Sequence, residues 1–577
     1  MKQLHEALKE RIDSAVRSLL PEGAQVPVLE LATPPNPELG DVAMACFPLA
    51  RVLRQSPHHI ARALASIIDR PEGIERVEVV GPYVNFFFAR PALLKHAVEG
   101  VLVASDRYGT SDMGRGRRVV LEFSSPNIAK PFGIHHLRTT MIGQALSRIF
   151  EALGYEVIKI NYLGDWGTQF GQVIAAYKCW GDPGKVQRDP MRELLDLYVR
   201  FNKEAQTDST LEDEGRAWFC RLEDGDPETT ALWQQFRDWS VRDLKRVYSR
   251  MGISFDSYDG ESLYYAHTHI LVEQLRKAGL LQESEGALVV PLDNLPPCLI
   301  KKKDGATLYA TRDLAAAIDR WERYHFDHML YVVANQQQLH FQQLFAVLRK
   351  MGFPWVERCE HVGFGWVTWG GRTMSTRRGH VVLLEQVIEE AASRSLALID
   401  ERSPHIPDKK EVAYQVGLAA VAFGMLAHNR QTDISFSWEA ALNLEGDTGP
   451  YVQYTHARAC SLLRKASPDP RSLPSDCPGT STDNKAAWDK ATSPEEVELA
   501  KLLLRYPEAV LRAAAERDPS PVARYLLQLC GAFNTFYHVH RVIGSDAELE
   551  RLLLTDATRQ VIRNGLKLLG LAAPEEM

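Results

Sequence analysis

The sequence lacks the features that are typical of secreted, membrane-spanning and disulfide-stabilised proteins. None of its apolar runs approaches the roughly 18 residues that a membrane-spanning helix needs. Its 8 cysteines are scattered without a C-x-x-C pair, so the sequence indicates neither a disulfide framework nor a metal site. Acidic residues run through the opening stretch 1–20, which argues against a signal or transit peptide. We therefore expect a cytoplasmic protein that does not contact a membrane.

An excess of positive charge is also missing. The 67 Lys and Arg residues are outnumbered by 74 Asp and Glu residues, and the net charge of −7 argues against a general binder of polyanions. A nucleic-acid partner would have to be met by local basic surfaces. The hydrophobic content of 45% is ordinary for a globular protein. Because 577 residues are too many for one core, we expect about three or more domains.

One βαβ pattern organises the rest of the chain. An apolar run at Val119–Phe123 predicts a buried strand, and a turn-rich segment and a helix-periodic run ending at Gly154 follow it. A second apolar run, Val157–Tyr162, predicts the next strand. The loop of such a unit aims backbone N–H groups and the positive end of a helix at one point, which suits a phosphate. His135 and His136 lie at that point, although two histidines in a βαβ unit are more often part of an ordinary α/β core.

The segments on either side of this unit carry further patterns. Residues 1–110 indicate a separate α/β domain, with a helical stretch over Val42–Arg54 followed by strands. From about 174 to 292 the pattern is mostly helical and polar, which indicates an insertion. Strand character returns at Thr307–Ala310 and in a last strand at His361–Thr368, and beyond about residue 380 nearly all of the pattern is helical.

Three phrases of the βαβ unit, SSPNIAKPF, HLRTTMIG and LGDWGTQFG, resemble the nucleotide-binding opening of class I aminoacyl-tRNA synthetases, and among them of arginyl-tRNA synthetases. YATRDLA and the closing LLGLAAPEEM extend the resemblance, in order, over nearly the whole chain. It implies a multidomain α/β architecture. The parts would be an N-terminal tRNA-contacting α/β domain at 1–110, a Rossmann-like catalytic domain at 111–380 with a helical insertion at about 174–292, a helical connecting region at 381–450, and an all-α anticodon-binding domain at 451–577.

The resemblance places the phosphate site at the start of the βαβ helix. The family motif there is His-x-Gly-His, whose outer histidines donate hydrogen bonds to the phosphates of ATP. The matching residues in this sequence are Gly133, Ile134, His135 and His136. The last histidine is kept, whereas glycine replaces the first and His135 stands where the family has glycine. We hypothesise that His135 supplies the hydrogen-bond donor that is missing at Gly133.

A glycine-bounded basic loop at 370–379 resembles the second phosphate motif of the family, Lys-Met-Ser-Lys-Ser, although the residues alone are also compatible with a solvated basic turn. The loop contains Thr373-Met374-Ser375-Thr376-Arg377, so the first lysine is absent. In arginyl enzymes without it, a lysine just before the His-x-Gly-His motif is thought to take over, and Lys130 has that place. The resemblance thus implies a catalytic set of Lys130, His135, His136, Ser375 and Arg377, and an ATP site that also includes Gly133 and Met374.

A guanidinium substrate requires a planar carboxylate that can meet both of its prongs. Asp313 opens the helix-periodic phrase DLAAAIDR. From this position alone, an N-terminal helix cap is the simpler interpretation. The resemblance implies instead that Tyr309 packs on the substrate side chain and that Asp313 pairs with its guanidinium. Glu122, Asn127 and Gln337 match further pocket positions, with Glu122 and Asn127 at the α-amino and carboxylate end.

The helical block beyond residue 450 places tyrosines and phenylalanines near arginines, which suits single-stranded bases, although such a stripe is more often core. The resemblance implies an arginine–tRNA ligase that forms arginyl-adenylate from L-arginine and ATP, with Mg²⁺ accompanying ATP, and loads tRNA(Arg). It also implies that the first step waits for tRNA, and we expect a monomer. Two alternatives stay open. One is an inactive relative that binds arginine or tRNA as a regulator, and the other is a different class I synthetase such as the cysteinyl type.

Overall fold

The computed structural model describes residues 2–21, 24–32, 34, 36, 39–71, 73–128, 132–303, 309–369, 383–403, 405–466 and 488–577. The chain forms two compact units, each built from segments that are distant in sequence. The first unit consists of Met1–Tyr108, Arg458–Pro507 and Gln528–Ile562. The second unit consists of Gly109–Ala457, Glu508–Leu527 and Arg563–Met577.

The N-terminal part of the first unit is an antiparallel sheet with four helices. Its elements are α1 (Lys2–Leu19), β1 (Leu31–Ala32), β2 (Val42–Ala45), α2 (Phe47–Leu53), α3 (Pro57–Ile67), β3 (Ile74–Val80), β4 (Tyr83–Phe88) and α4 (Arg90–Ala104). The strands lie in the order β1-β2-β4-β3. Within the same unit, Asp41 before β2 forms an ion pair with Lys501, with 2.6 Å between Oδ1 and Nζ, which ties this sheet to a helix from late in the chain.

The helix expected over Val42–Arg54 is wrong in its first part. Val42–Ala45 forms β2, which pairs antiparallel with β4. Alternate residues of this stretch are buried, which is the period of a strand and not of a helix. The helix begins only at Phe47, where Pro48 occupies the first turn, a position at which proline needs no amide hydrogen.

The second unit contains the βαβ pattern, the insertion and several later strands. Its elements, in chain order, are β5 (Arg118–Glu122), α5 (Leu137–Ala152), β6 (Glu156–Ile160), α6 (Thr168–Trp180), α7 (Pro183–Arg188), α8 (Pro190–Glu204), α9 (Ser209–Glu223), α10 (Pro227–Arg250), α11 (Glu261–Tyr265), α12 (Thr268–Lys277), β7 (Gln282–Ser284), β8 (Ala287–Val290), β9 (Cys298–Lys301), α13 (Tyr309–Tyr324), β10 (His328–Tyr331), α14 (Gln338–Lys350), β11 (Cys359–His361), β12 (Val367–Trp369), α15 (Leu384–Arg402), α16 (Lys409–Ala427), β13 (Ile434–Phe436) and α17 (Trp438–Ala441).

The chain ends in long helices. They are α18 (Gly449–Lys465), α19 (Pro494–Glu516), α20 (Ser520–Val539) and α21 (Glu548–Leu568). Short 3-10 helices at Ser105–Arg107, Ile134–His136, Asn335–Gln337 and Pro354–Arg358 complete the element list. Among the helices that the structure describes, none is long and apolar enough to cross a membrane.

The central sheet of the second unit is entirely parallel. Its strands lie in the order β11-β10-β5-β6, and β5, α5 and β6 form the predicted βαβ unit. The stretch expected to be a helical insertion is helical from α6 to α12. It leads into an antiparallel meander of β7, β8 and β9. After the meander, α13 leads to β10, which pairs with β5 on the side opposite β6.

Two of the strand predictions in this unit need correction. Tyr309 and Ala310, expected at the end of a strand, form the first turn of α13; Thr307 and Leu308 lie outside the described residues. The single strand expected over His361–Thr368 is two strands. Its start belongs to β11 in the central sheet, and its end belongs to β12, which pairs in parallel with β13 instead.

Helix α5 packs on the sheet so closely that one position requires glycine. A Cβ added to Gly143 would lie 2.1 Å from the ring of Phe123, which follows β5. Gly424, in the interior of α16 of the same unit, is the opposite case, because a Cβ there would meet no described atom within 4 Å. Only the first glycine is therefore required by packing.

We expect Gly143→Ala to lower the free energy of unfolding by about 1–3 kcal/mol, since the helix has to move away from the sheet. The matched variant Gly424→Ala should leave stability unchanged or raise it by up to about 1 kcal/mol, because alanine favours a helix interior. Thermal unfolding of the two variants measures the difference. Equal melting temperatures would show that α5 is not in tight contact with Phe123.

Candidate active site

The carboxyl ends of β5 and β10 form a topological switch point. From β5 the chain proceeds through α5 to β6 on one side, whereas β10, on the other side, continues through α14 to β11. Connections that leave two adjacent parallel strands in opposite directions open a crevice beyond their carboxyl ends, and ligands bind there. Glu122 ends β5 and pairs with Tyr331, which ends β10, so both residues lie at the floor of this crevice.

The loop after β5 has an unusual backbone. Ser124 and Ser125 have φ angles of 70° and 46°, a region that non-glycine residues rarely adopt. Side-chain contacts hold this conformation: Ser124 Oγ lies 2.8 Å from Thr140 Oγ1 and 2.6 Å from the hydroxyl of Tyr248, which comes from the insertion. The insertion therefore fixes the loop that lines the crevice.

The first turn of α5 is tied to both strand ends. Thr139 Oγ1 accepts a hydrogen bond from the backbone N–H of Ser124 and donates one to the carbonyl of Val332, just beyond β10. The N–H of Val332 in turn donates to the carbonyl of Glu122 at 2.9 Å. Thr140 Oγ1 donates to the carbonyl of His136 at 2.7 Å. This network places the helix start, with its partial positive charge, at the mouth of the crevice.

The basic loop lies outside the described residues, but segments on both sides of it contact residues at the start of α5. Leu383, four residues after the loop, forms an antiparallel bridge with Gly133. On the other side Arg138, buried in α5, donates to the carbonyl of Gly365 at 2.6 Å, just before β12, and to that of Asn429. Burial lowers the pKa of Arg138 to about 10. The segments that flank the second sequence-predicted phosphate motif therefore contact Gly133 of the first motif and the nearby Arg138, although they are more than 200 residues away in the chain.

The structure describes only some of the residues expected to bind ATP. Gly133 is buried and precedes the 3-10 helix that leads into α5. The ring of His136 stacks on Phe132, with 5.1 Å between their centroids. The residues that lie outside the described part of the chain are Lys130, Met374, Ser375 and Arg377, together with the side chain of His135.

Asp313 is not a helix cap. Helix α13 begins four residues earlier, at Tyr309, so Asp313 lies in its second turn. Its Oδ2 is 2.7 Å from Nε2 of His340, which lies in the first turn of α14. Both side chains are about one-fifth exposed, 21% for Asp313 and 22% for His340. The charge of Asp313 adds to burial in raising the pKa of Glu122, so the carboxylate lies near the end of β5.

Other acidic groups around the crevice have an arginine of the chain as partner. Glu122 Oε2 lies 2.5 Å from Nη1 of Arg320, whose guanidinium also lies over the ring of Tyr162. Glu261 in α11 is 3.0 Å from Arg312. Burial raises the pKa of Glu122, which Arg320 opposes, and it raises the pKa of Glu261 to about 8. Among the described residues near the crevice, Asp313 thus stands out as a carboxylate with a histidine in place of an arginine.

Asp165, in the phrase LGDWG, is a further buried acid with an arginine partner. Its Oδ2 accepts from Nε of Arg237 in α10 at 3.0 Å, and its Oδ1 accepts from the backbone N–H of Ser262. Gly260 must be glycine here, because a Cβ would lie 2.3 Å from the Asp165 carboxylate. Asp165 therefore joins the insertion to the end of the parallel sheet.

The remaining sequence-predicted residues, Asn127, Tyr309 and Gln337, are exposed. Asn127 is exposed and lies over Gly164, where a Cβ would approach Asn127 Oδ1 to 2.2 Å. Tyr309 is 56% exposed, with the guanidinium of Arg312 5.0 Å from its ring centroid. Gln337 is exposed at the end of a 3-10 helix after β10.

Sequence reasoning missed three polar groups at this site: His340, Arg320 and Tyr162. The hydroxyl of Tyr162 is buried without a hydrogen-bond partner in the described part of the chain. Burial and the charge of Asp313 raise the pKa of this hydroxyl, which stays protonated. A lone histidine or arginine in an amphipathic helix gives no signal by itself. Only the packing of α13 against α14 brings His340 to Asp313, and only the fold places Tyr162, which follows β6, beside Arg320.

The parallel sheet, the crevice at its switch point and the strained loop beside it are typical of an α/β domain that binds a nucleotide. Comparisons with known proteins identify its class. The family model described as tRNA synthetases class I (R), catalytic domain, matches residues 97–438. The arginyl tRNA synthetase N terminal domain matches residues 2–88, and the DALR anticodon binding domain matches residues 452–577.

Similar proteins match over the full or nearly the full length of the chain. A protein of Clostridium perfringens named arginine–tRNA ligase is 45% identical over 100% of this chain and 99% of its own length. The solved arginyl-tRNA synthetase of Thermus thermophilus superimposes with a TM-score of 0.79 at 28% identity and covers 100% of both chains. That of Plasmodium falciparum shares the fold, with a TM-score of 0.76 at 22% identity over 99% of both chains. The chain belongs to the arginyl-tRNA synthetase family.

The buried pair of Glu122 and Arg320 allows a test of the crevice floor. We expect Arg320→Met to destabilise the protein by about 3–5 kcal/mol, because it leaves the buried carboxylate of Glu122 without its partner. Arg349→Met breaks an ion pair with Glu357 that is exposed on both sides, and should leave thermal stability unchanged. If both variants melted at the temperature of the parent protein, the pair would not hold the end of β5.

Proposed function

We propose that this protein is an arginine–tRNA ligase. The α-carboxylate of L-arginine attacks the α-phosphorus of ATP, which forms arginyl-adenylate and releases pyrophosphate. A hydroxyl of the 3′-terminal adenosine of tRNA(Arg) then attacks the arginyl carbonyl, and AMP leaves. The observation that carries the proposal is the position of Asp313 at the switch point whose other wall is the start of α5.

Positioning and charge stabilisation account for the first step, which needs no side-chain nucleophile. ATP would bind with its phosphates at the start of α5, next to Gly133, His135 and His136. Met374, Ser375 and Arg377 of the basic loop would cover the phosphates, and Lys130 would supply the charge of the missing loop lysine. The contacts of both loop flanks with α5 support this arrangement. Mg²⁺ would enter with ATP, bound through its phosphates, as part of the substrate.

Arginine would bind with its guanidinium on Asp313 and its α-amino and carboxylate end toward Glu122 and Asn127. Tyr309 and Gln337 would line the same pocket. Support comes from the ion pairs of the chain. The neighbouring acids Glu122 and Glu261 already have arginine partners, so a substrate guanidinium finds its charge complement at Asp313. Lysine would offer one point charge to a carboxylate that accepts a two-pronged cation.

The larger surfaces of the protein would serve tRNA. The N-terminal α/β domain at 1–110 would contact the corner of the tRNA, and the helical block at 451–577 would bind the anticodon, which accords with the family domains matched there. We further propose that the protein acts in the cytoplasm as a monomer and that arginine activation waits for bound tRNA.

Asp313→Ala should lower the kcat/KM for arginine by roughly a hundredfold to a thousandfold, because truncation of one partner of a desolvated charge pair costs several kcal/mol. Arginine-dependent pyrophosphate exchange in the presence of tRNA measures this loss. Glu322→Gln, an exposed acid on the same helix, serves as the control and should retain full exchange. Retained arginine affinity in the Asp313 variant would rule out the assignment.

His135→Ala should raise the KM for ATP about tenfold or more, since a hydrogen bond to a charged phosphate is lost. His135→Asn keeps a donor on the side chain and should recover part of this loss. Steady-state kinetics with varied ATP at saturating arginine and tRNA distinguishes the two variants. Unchanged ATP kinetics in both would mean that His135 does not replace the donor absent at Gly133.

A further inference from the structure

The carboxylate assigned to the substrate already has one partner within the chain. His340 Nε2 lies 2.7 Å from Oδ2 of Asp313. Because a carboxylate oxygen accepts, Nε2 must carry the proton of this hydrogen bond. Within the described part of the chain, no hydrogen bond reaches the other oxygen, Oδ1. The imidazole therefore fixes the orientation of the carboxylate and uses one of the two lone pairs of Oδ2, which leaves both oxygens able to accept from a substrate.

Several charged groups face this imidazole. Asp313 faces it from α13 and Glu122 from β5, where Glu122 is itself bound to Arg320. His361 of β11 lies behind the ring of Phe341, on which it stacks with 4.6 Å between centroids. Burial lowers the pKa of His340. The hydrogen bond and charge of Asp313, with a contribution from Glu122, outweigh burial, and the resulting pKa is above the ordinary value. Asp313 therefore favours the doubly protonated form of this ring.

We propose that His340 is a positioning residue for arginine recognition and that its proton competes with the substrate: the neutral imidazole holds Oδ2 of Asp313 and presents the carboxylate to the guanidinium, whereas the imidazolium is a built-in cation that opposes it. This inference rests on the assignment of Asp313 to the substrate guanidinium. Two cations on one carboxylate repel each other, so the substrate favours the neutral imidazole.

The proton balance follows from the geometry. In the imidazolium both ring nitrogens carry hydrogen, and Nε2–H stays on Asp313. When arginine binds, the Nδ1 proton leaves to solvent, which a side chain that is 22% exposed permits. Below the pKa of His340 each bound arginine thus releases up to one proton, and arginine affinity falls by about tenfold per pH unit.

Isothermal titration of the full-length protein with L-arginine tests this linkage. Titrations between about pH 5.5 and 8.5, each in two buffers of different ionisation enthalpy, give the affinity and the number of protons released. For the parent protein we expect proton release and an affinity that weakens toward acid pH. In His340→Gln the amide retains a donor at the place of Nε2. We expect affinity at the alkaline end within about threefold of the parent, no proton release and no acid weakening.

Three further variants make every outcome decisive. His340→Ala lacks the donor and should bind arginine more weakly over the whole range, again without proton release. His361→Gln removes the neighbouring histidine and must leave the proton release in place, since His361 does not contact Asp313. Asp313→Asn tests the assignment on which the inference rests. If it binds arginine normally, that assignment fails; if it loses binding while His340→Gln still releases the parent's proton, only the role of His340 is overturned.

Discussion

The site depends on one distribution of charge at the end of the parallel sheet. Within the described crevice, Glu122 and Glu261 each face an arginine of the chain, and Asp313 faces a histidine. If Asp313 receives the guanidinium of the substrate, as we propose, the arginines of the chain have to be kept away from this carboxylate. Internal ion pairs achieve this, because a guanidinium already engaged at 2.5–3.0 Å does not exchange for another acid without cost.

The same end of the sheet connects the start of α5 with the ends of β5 and β10. Val332 donates to Glu122 at the end of β5 and accepts from Thr139 in the first turn of α5. A displacement of the start of α5 would therefore also displace the end of β5, where we propose that the amino acid binds. The positive φ angles of Ser124 and Ser125 persist here because hydrogen bonds from α5 and from the insertion hold the loop between them. Rigidity at this loop is what fixed positioning of two substrates requires.

Local patterns predicted much of the second unit. The strand at Val119–Phe123 and the helix and strand after it were predicted within one or two residues, because apolar periodicity and a terminal glycine carry that information. The sequence pattern places Val42–Ala45 in a helix, because four residues directly before a helical pattern resemble the first turn of the same helix. Its pairing with β4 decided otherwise. Asp313 was compatible with a cap until the true start of α13 at Tyr309 excluded that interpretation.

By itself the sequence determined the class of the fold, the βαβ unit, the two phosphate motifs and, through its resemblance to a family, the candidate residues for arginine and ATP. Those features are local or are carried by short phrases, so they survive without knowledge of packing. Only the tertiary structure decided which charges face each other. The partners Glu122 and Arg320 are almost 200 residues apart, and Asp313 and His340 lie on two helices. Such pairs exist only because the order of the strands brings α13 and α14 to one edge of the sheet.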